Sequence, residues 1–114
     1  MDEIGELRGG LDRLSAALDD LLVRGVRSAG AQDLARLSAL RDELRASGAE
    51  HLSGRLSALV DAVAAGDRGA AAALMRAITS LRLFERMLTL EVAAQSLAAA
   101  VADDNDDGPE AEDE

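Results

Sequence analysis

The chain contains no cysteine, lysine, tryptophan or tyrosine, and it has only one proline, one phenylalanine and one histidine in 114 residues. Without cysteine, neither a disulfide framework nor a thiolate metal site can form. A single histidine, with no cysteine or lysine, also leaves few ways to activate a nucleophile. Aromatic and β-branched residues are too scarce for a sheet, whereas the abundant Ala and Leu favour helices. The sequence predicts an all-α, non-enzymatic protein.

The remaining candidates for catalytic or metal chemistry are isolated from one another. His51 has no histidine or carboxylate three or four residues away, so no helical ligand pair exists. The adjacent carboxylates Asp19-Asp20 and Asp42-Glu43 diverge by about 100° on a helix instead of converging on one site. We therefore expect no metal, no cofactor and no catalytic residue.

The negative charge is concentrated at one end of the chain. The net charge is −10, but residues 103–114 carry eight acids and no base, which leaves residues 1–102 at −2. This acidic tail has no apolar periodicity and repels itself, so the sequence predicts disorder there. Three roles remain open for it: a solvated tail, a shield for the protein's own arginine surface, or a contact with a basic partner.

The first residues of the chain and its amino-acid composition indicate where the protein is located in the cell and what kind of genome encodes it. Met1-Asp2-Glu3 is acidic and precedes no uninterrupted apolar run, so we expect neither a signal peptide nor a membrane-spanning helix. A cytoplasmic protein with no membrane partner is predicted. All twelve basic residues are Arg, and Ala and Gly are abundant, which is typical of a GC-rich bacterial genome.

Leucine spacing and glycine punctuation divide the chain into helices. Apolar residues alternate three and four apart in the first helix, at Ile4, Leu7, Leu11, Leu14, Leu18 and Leu21. Gly25, Gly48 and Gly66 stand where helices should end, and Asp67 can cap the next helix. Gly5, Gly9 and Gly10 weaken the first helix before Leu11 but would permit close backbone approach. The predicted helices cover about residues 4–24, 32–47, 49–65 and 68–102.

The fourth helix carries two apolar stripes. On one face lie Ala70, Leu74, Ala77, Leu81, Phe84 and Leu88. On roughly the opposite face lie Leu83, Met87, Leu90, Ala94, Leu97 and Val101. A helix that is apolar nearly all round must be covered on two sides.

The lengths of the helices leave part of the fourth without an evident cover. At about 1.5 Å per residue, residues 68–102 would span roughly 50 Å, against about 25 Å for the second and third helices. An antiparallel four-helix bundle could place the first half of helix 1 over the remainder. The alternative cover is a second copy of the chain or a different protein, and the sequence leaves both possibilities open.

The second stripe is therefore the predicted protein interface, comprising Leu83, Met87, Leu90, Ala94, Leu97 and Val101. It indicates an oligomerisation or interaction module, with a homodimer expected and an accessory subunit or adaptor as its role. One alternative is a bundle that encloses an apolar ligand among Met75, Phe84 and Met87. Another is a weak DNA-binding regulator that uses helices 2 and 3 and the arginines of helix 2, Arg36, Arg41 and Arg45. Acids on helix 2 and the lack of stacking aromatics make nucleic acid the less favoured partner.

The run from Leu34 to Leu90 resembles helical segments associated with SWIM zinc-finger proteins of GC-rich bacteria. It covers about half of the chain. The SWIM motif itself is built from Cys and His, and this chain has no Cys. The resemblance therefore implies an accessory partner of such a protein, not the zinc-binding component.

Overall fold

The structure, a computed structural model, describes the backbone of residues 3–112 and the side chains of residues 4–103. Over that range the chain is helical and contains no strand. Its helices are α1 Glu3–Arg24, α2 Ala31–Ala46, α3 Glu50–Ala64 and α4 Ala70–Glu112, with a short 3-10 turn at Val26–Ser28 between α1 and α2. The predicted all-α bundle with a long C-terminal helix is confirmed.

The chain divides into two units, one ending at Phe84 and the other beginning at Glu85. The first unit contains α1, α2, α3 and the start of α4, and it holds the core. Leucines with the predicted three-and-four spacing fill this core from the first three helices, and α4 contributes both alanines and larger apolar residues. The buried apolar side chains are those of Leu11, Leu14, Ala17, Leu18, Leu21, Leu37, Leu40, Leu44, Ala49, Leu52, Leu56, Leu59, Ala70, Ala73, Leu74, Ala77, Ile78 and Leu81.

Glycine ends the first three helices at the predicted positions. Gly25, Gly48 and Gly66 have φ values of 94°, 91° and 66°, a region that side chains with a Cβ rarely adopt. After α3, the Asp67 N–H donates to the Ala62 carbonyl at 2.9 Å, and the Gly66 N–H donates to the Val63 carbonyl at 3.1 Å. This Schellman pattern satisfies the carbonyls at the helix end.

Asp67 turns the chain into α4 as the sequence predicts. Its carboxylate accepts a hydrogen bond from the Gly69 N–H at 2.8 Å, and its carbonyl accepts one from the Ala70 N–H at 3.1 Å. These bonds satisfy the amide of Gly69, which precedes α4, and the amide of Ala70, the first residue of α4. The tight hairpin between α3 and α4 is confirmed.

Gly10 of α1 lies beside a side chain of α2. Gly10 is buried, and a Cβ there would meet the Glu43 carboxylate at 3.3 Å. On the same carboxylate, the Arg13 guanidinium donates through Nη2 to Oε1 at 2.6 Å. The helix begins at Glu3 and is unbroken through these glycines. The contact at Gly10 is with the end of the Glu43 side chain, so the close backbone approach expected of small residues stays a prediction.

The predicted end of the fourth helix at residue 102 is wrong, because α4 continues in the backbone to Glu112. No glycine or proline occurs in this helix before Gly108, so nothing in the local sequence stops it at Ala102. Side chains from residue 104 onward lie outside the described residues. The disorder expected for the acidic tail stays a prediction.

Among the described helices, none combines the length and apolar character that crossing a membrane requires.

Candidate interaction surface

One apolar stripe of α4 belongs to the core of the first unit. Ala70, Leu74, Ala77 and Leu81 are buried, with 5% or less of their surface exposed, and Phe84 is partly buried. We call these residues the core stripe. Leu88, which the sequence places on the same face, is partly buried and belongs to the second unit. From Ala70 to Leu81 this face of the helix is covered within the first unit.

The other apolar stripe is exposed along its whole length. The exposed fractions are 58% for Leu83, 67% for Met87, 61% for Leu90, 66% for Leu97 and 48% for Val101. Ala94, the sixth member, is exposed as well. We call this set the outer stripe, and it is the interface that the sequence predicts. The structure places all six residues on one helix at the surface.

The outer stripe has the spacing of a coiled-coil seam. Its leucines occupy the d positions of successive heptads, and Met87, Ala94 and Val101 occupy the a positions. The flanking e and g positions within residues 85–101 hold Glu91, Ala98, Arg86, Ala93 and Ala100. Small flanking residues allow another helix to approach closely.

The exposure of the outer stripe bears on the two covers that the sequence left open. Leu11, Leu14, Leu18 and Leu21 of α1 are buried in the first unit, whereas every large side chain of the outer stripe keeps about half or more of its surface in solvent. Within the described residues, the chain does not bury this stripe.

A basic pocket opens beside the first unit's end of the outer stripe. It has a volume of about 300 Å³ and is lined by His51, Arg55, Met75, Arg76, Thr79, Ser80 and Leu83. No carboxylate lines it. The Arg55 Nε atom is buried and has no hydrogen-bond partner among the described residues. The pocket therefore offers cationic donors next to apolar surface.

Several other arginines of the first unit are already paired. Besides the Arg13 pair, Arg41 contacts Asp42 at 3.1 Å and Arg82 contacts Asp19 at 3.7 Å. In the described part of the chain, Arg55 and Arg76 form no ion pair, nor does His51. Unsatisfied positive charge is thus present where the pocket opens.

Arg24 forms the most extensive polar network, and this network is structural. Its guanidinium donates to Asp20 at 2.7 Å and to Asp33 at 2.9 Å, joining α1 to α2. The Asp33 carboxylate also accepts a hydrogen bond from the Gly30 N–H at 2.9 Å. That backbone hydrogen bond, followed by the Arg24 contact, holds the pKa of Asp33 below its usual value.

The residues predicted for the two alternative functions, an apolar-ligand site and a DNA-binding surface, do not come together in a common site. Met75 lines the basic pocket and is 49% exposed, Phe84 is partly buried, and Met87 projects from the outer stripe. On α2, the Arg45 Nε donates to the Ser53 hydroxyl at 3.4 Å, and Arg36 is exposed. Among the described residues, no cavity is lined by all three of these apolar residues. The arginines of α2 likewise do not form a row of unpaired side chains.

Sequence reasoning missed the basic pocket. His51 and Arg55 are four residues apart on α3, which places them on one face of that helix. Arg76 joins them only because the hairpin folds α4 back along α3. The spacing of His51 and Arg55 was a usable signal, but it did not reveal that Arg76 lines the same pocket.

No protein-family model, curated protein or solved structure matches the chain. Among the described side chains, no group of three or more metal-ligating residues comes together.

Proposed function

We propose that this chain is a non-enzymatic interaction protein that forms a homodimer through the outer stripe of α4. The observation that carries the proposal is the exposure of five large apolar side chains in one regular row, in a protein whose core leucines are almost fully buried. Contiguous exposed apolar surface of this kind is typical of interaction sites. Full burial stabilises each large side chain by about 1.5–3 kcal/mol.

The partner that fits a straight seam of this kind is another helix. The a and d positions repeat over nearly three heptads, and alanines flank them at Ala93, Ala98 and Ala100. A second copy of the chain supplies an identical seam, so a two-fold axis would bury both stripes at once. A homodimer therefore removes the whole exposed row from solvent without requiring any other protein.

A small dimer of this composition suits an accessory subunit or adaptor in the bacterial cytoplasm. The resemblance of Leu34 to Leu90 to segments associated with SWIM zinc-finger proteins supports the same role. In that arrangement the dimer seam would hold two copies together and leave α1 and α2 for a further protein.

The test is the oligomeric state of the full-length chain, measured by sedimentation equilibrium over micromolar concentrations. We expect a monomer–dimer equilibrium for the natural sequence and a monomer for the double variant Leu90→Asp with Leu97→Asp. Both leucines are largely exposed, so the substitutions should leave the folding of the first unit within about 0.5 kcal/mol of its natural stability.

The matched control is Gln95→Asp with Ala99→Asp. It adds the same two carboxylates to the same helix at exposed positions outside the outer stripe. The control should still dimerise. A natural chain that stays monomeric, or a dimer that survives in the leucine variant, would show that the outer stripe is not a self-association seam.

A further inference from the structure

The direction of pairing follows from the volumes along the seam, and this inference rests on the proposed homodimer. In an antiparallel pair centred on the outer stripe, each layer joins one leucine to one a-position residue. The layers are Leu83 with the partner's Val101, Leu97 with the partner's Met87, and Leu90 with the partner's Ala94. A parallel pair in register would set Ala94 against the partner's Ala94 between two leucine layers, which leaves a cavity. Antiparallel pairing fills the seam evenly.

The distribution of charge along α4 favours the same direction. Arg76, Arg82 and Arg86 lie at the beginning of the outer stripe, and the eight acids of residues 103–114 follow its end. Parallel pairing would place the two acidic tails together. Antiparallel pairing places each tail beside the partner's arginines, which attracts the chains and fixes their orientation.

The antiparallel register also determines which part of the partner the acidic tail contacts. Leu83 lines the basic pocket, and in this register it pairs with the partner's Val101. The partner's eight acids, in residues 103–114, follow Val101 directly in the chain. We propose that the acidic tail of one copy occupies the basic pocket of His51, Arg55 and Arg76 on the other copy.

The chemistry of the pocket suits a carboxylate-rich segment. Arg55 and Arg76 form no ion pair among the described residues, and the buried Arg55 Nε lacks an acceptor. Arginine presents several donors in a fixed plane that matches a carboxylate. Thr79 and Ser80 add hydroxyl donors at the pocket wall. A tail of carboxylates supplies the acceptors that this pocket lacks.

The first test neutralises each side of the proposed contact in the full-length chain. One variant replaces the eight acids of residues 103–114 with their amides, and the other carries Arg55→Glu with Arg76→Glu. Each should weaken the dimer by about fivefold to tenfold at low salt, since two surface contacts of modest strength are lost. Arg8→Glu with Arg27→Glu, at exposed positions outside the pocket, matches the second variant in charge.

The amide variant separates a contact from general repulsion. It reduces the net charge from −10 to −2. If the tail made no contact, the loss of repulsion between like-charged copies would tighten the dimer. A weaker dimer therefore supports the proposal, whereas an unchanged or tighter dimer overturns it and leaves the proposed homodimer intact. A natural chain that never dimerises overturns both.

Mixing the two variants distinguishes a contact between copies from one within a copy. Only the mixed dimer joins an intact pocket to an intact tail of the other chain. Native mass spectrometry of an equimolar mixture should show a larger share of mixed dimer than the same mixture made with Arg8→Glu, Arg27→Glu in place of the pocket variant, which has the same net charges. An equal share in the two mixtures would mean that general repulsion alone favours the mixed dimer and would overturn the proposal.

The second test measures the direction of pairing. Since the chain lacks cysteine, Ala102→Cys introduces a single site for a spin label. With the two-fold axis near residue 92, antiparallel labels should lie about 30 Å apart, whereas parallel labels should lie at roughly the 10 Å separation of packed helices. A short distance would overturn the antiparallel arrangement.

Discussion

The core stripe and the outer stripe of α4 have the same spacing and similar residues, yet one is covered and the other is exposed. Leu74 and Leu81 keep 3% and 2% of their surface in solvent, whereas Leu90 and Leu97 keep 61% and 66%. The difference lies in what surrounds each face: the core stripe is buried within the first unit, and the outer stripe is not. An apolar face on a helix thus predicts that another element covers it but does not identify that element.

The largest expected difference between the stripes is in stability. Leu74→Ala should destabilise the first unit by about 2–5 kcal/mol, because it removes buried methyl groups and leaves a cavity. Leu97→Ala should change the stability of the monomer by less than about 0.5 kcal/mol, because the side chain is already in solvent. Urea unfolding, at protein concentrations too low for the dimer to form, measures the free energy of unfolding of both variants.

For the dissociation constant of the dimer we expect the reverse order. Leu97→Ala should weaken the dimer and Leu74→Ala should leave folded protein that still pairs. Equal effects of the two substitutions on stability and on dimerisation would remove the distinction between the stripes.

Glycine substitutions sharpen the comparison from within the first unit. Gly66→Ala should destabilise that unit by about 1–2 kcal/mol, because the positive φ of 66° strains a residue with a Cβ. Gly54→Ala is the matched control, since Gly54 lies inside α3 and a Cβ there meets nothing within 4 Å. It should stabilise the unit by about 1 kcal/mol.

These two changes are made in the same unit and are read out by thermal or urea unfolding. Neither touches the outer stripe, so the dimer dissociation constant should stay the same in both variants. A change in the dimer dissociation constant that accompanies the change in stability would show that the two faces of α4 are not independent.

Acid should affect the first unit through the Arg24 network. The pKa of Asp33 is lowered from 3.8 in the folded chain, so the unfolded chain binds a proton at a higher pH than the folded one. The stabilisation from this group is present above about pH 4 and is lost as the pH falls through the lower folded pKa. Asp33→Asn should flatten that part of the stability profile.

The measurement is the free energy of unfolding of the first unit between about pH 2 and pH 6, with Asp12→Asn as the control at an exposed carboxylate. The control should retain the natural slope. An Asp33 variant with the same slope as the natural chain would show that the hydrogen bond from Gly30 and the Arg24 contact do not couple to folding.

The smallest expected effect distinguishes the two pairing directions. In the antiparallel register, Glu91 lies near the partner's Glu91 beside the two-fold axis, so Glu91→Gln should tighten the dimer about twofold. In a parallel pair, Glu91 would instead attract the partner's Arg86, and the same substitution would loosen the dimer. The sign of the change in dissociation constant decides between them, with Glu85→Gln, outside the seam, as the control.

Much of the fold followed from the sequence because its signals are local. Leucine spacing identified α1 through α4, and the positive-φ glycines marked three helix ends. The largest difference in a boundary is at the end of α4, where the change from alanines to acids suggested a stop that the backbone does not make at Ala102, whereas the other helix ends differ by at most two residues. Composition alone is a weaker signal for a helix end than glycine is.

The candidate interface was predicted as a set, whereas the basic pocket was not. The six residues of the outer stripe share one helix, so their spacing places them on one face. The pocket combines Arg55 of α3 with Arg76 of α4, and no local pattern relates two residues across a turn. Its lack of carboxylates also depends on where neighbouring side chains lie.

The sequence by itself determined the helices, their glycine ends and the presence of two apolar faces on α4, because each depends on residues within a few turns of one another. Only the tertiary structure decided which face is covered and which cations remain unpaired. Those outcomes depend on the neighbours of each helix, and burial and ion pairing are properties of residues far apart in the chain. The outer stripe is accordingly visible in the sequence as an apolar face and in the structure as an exposed one.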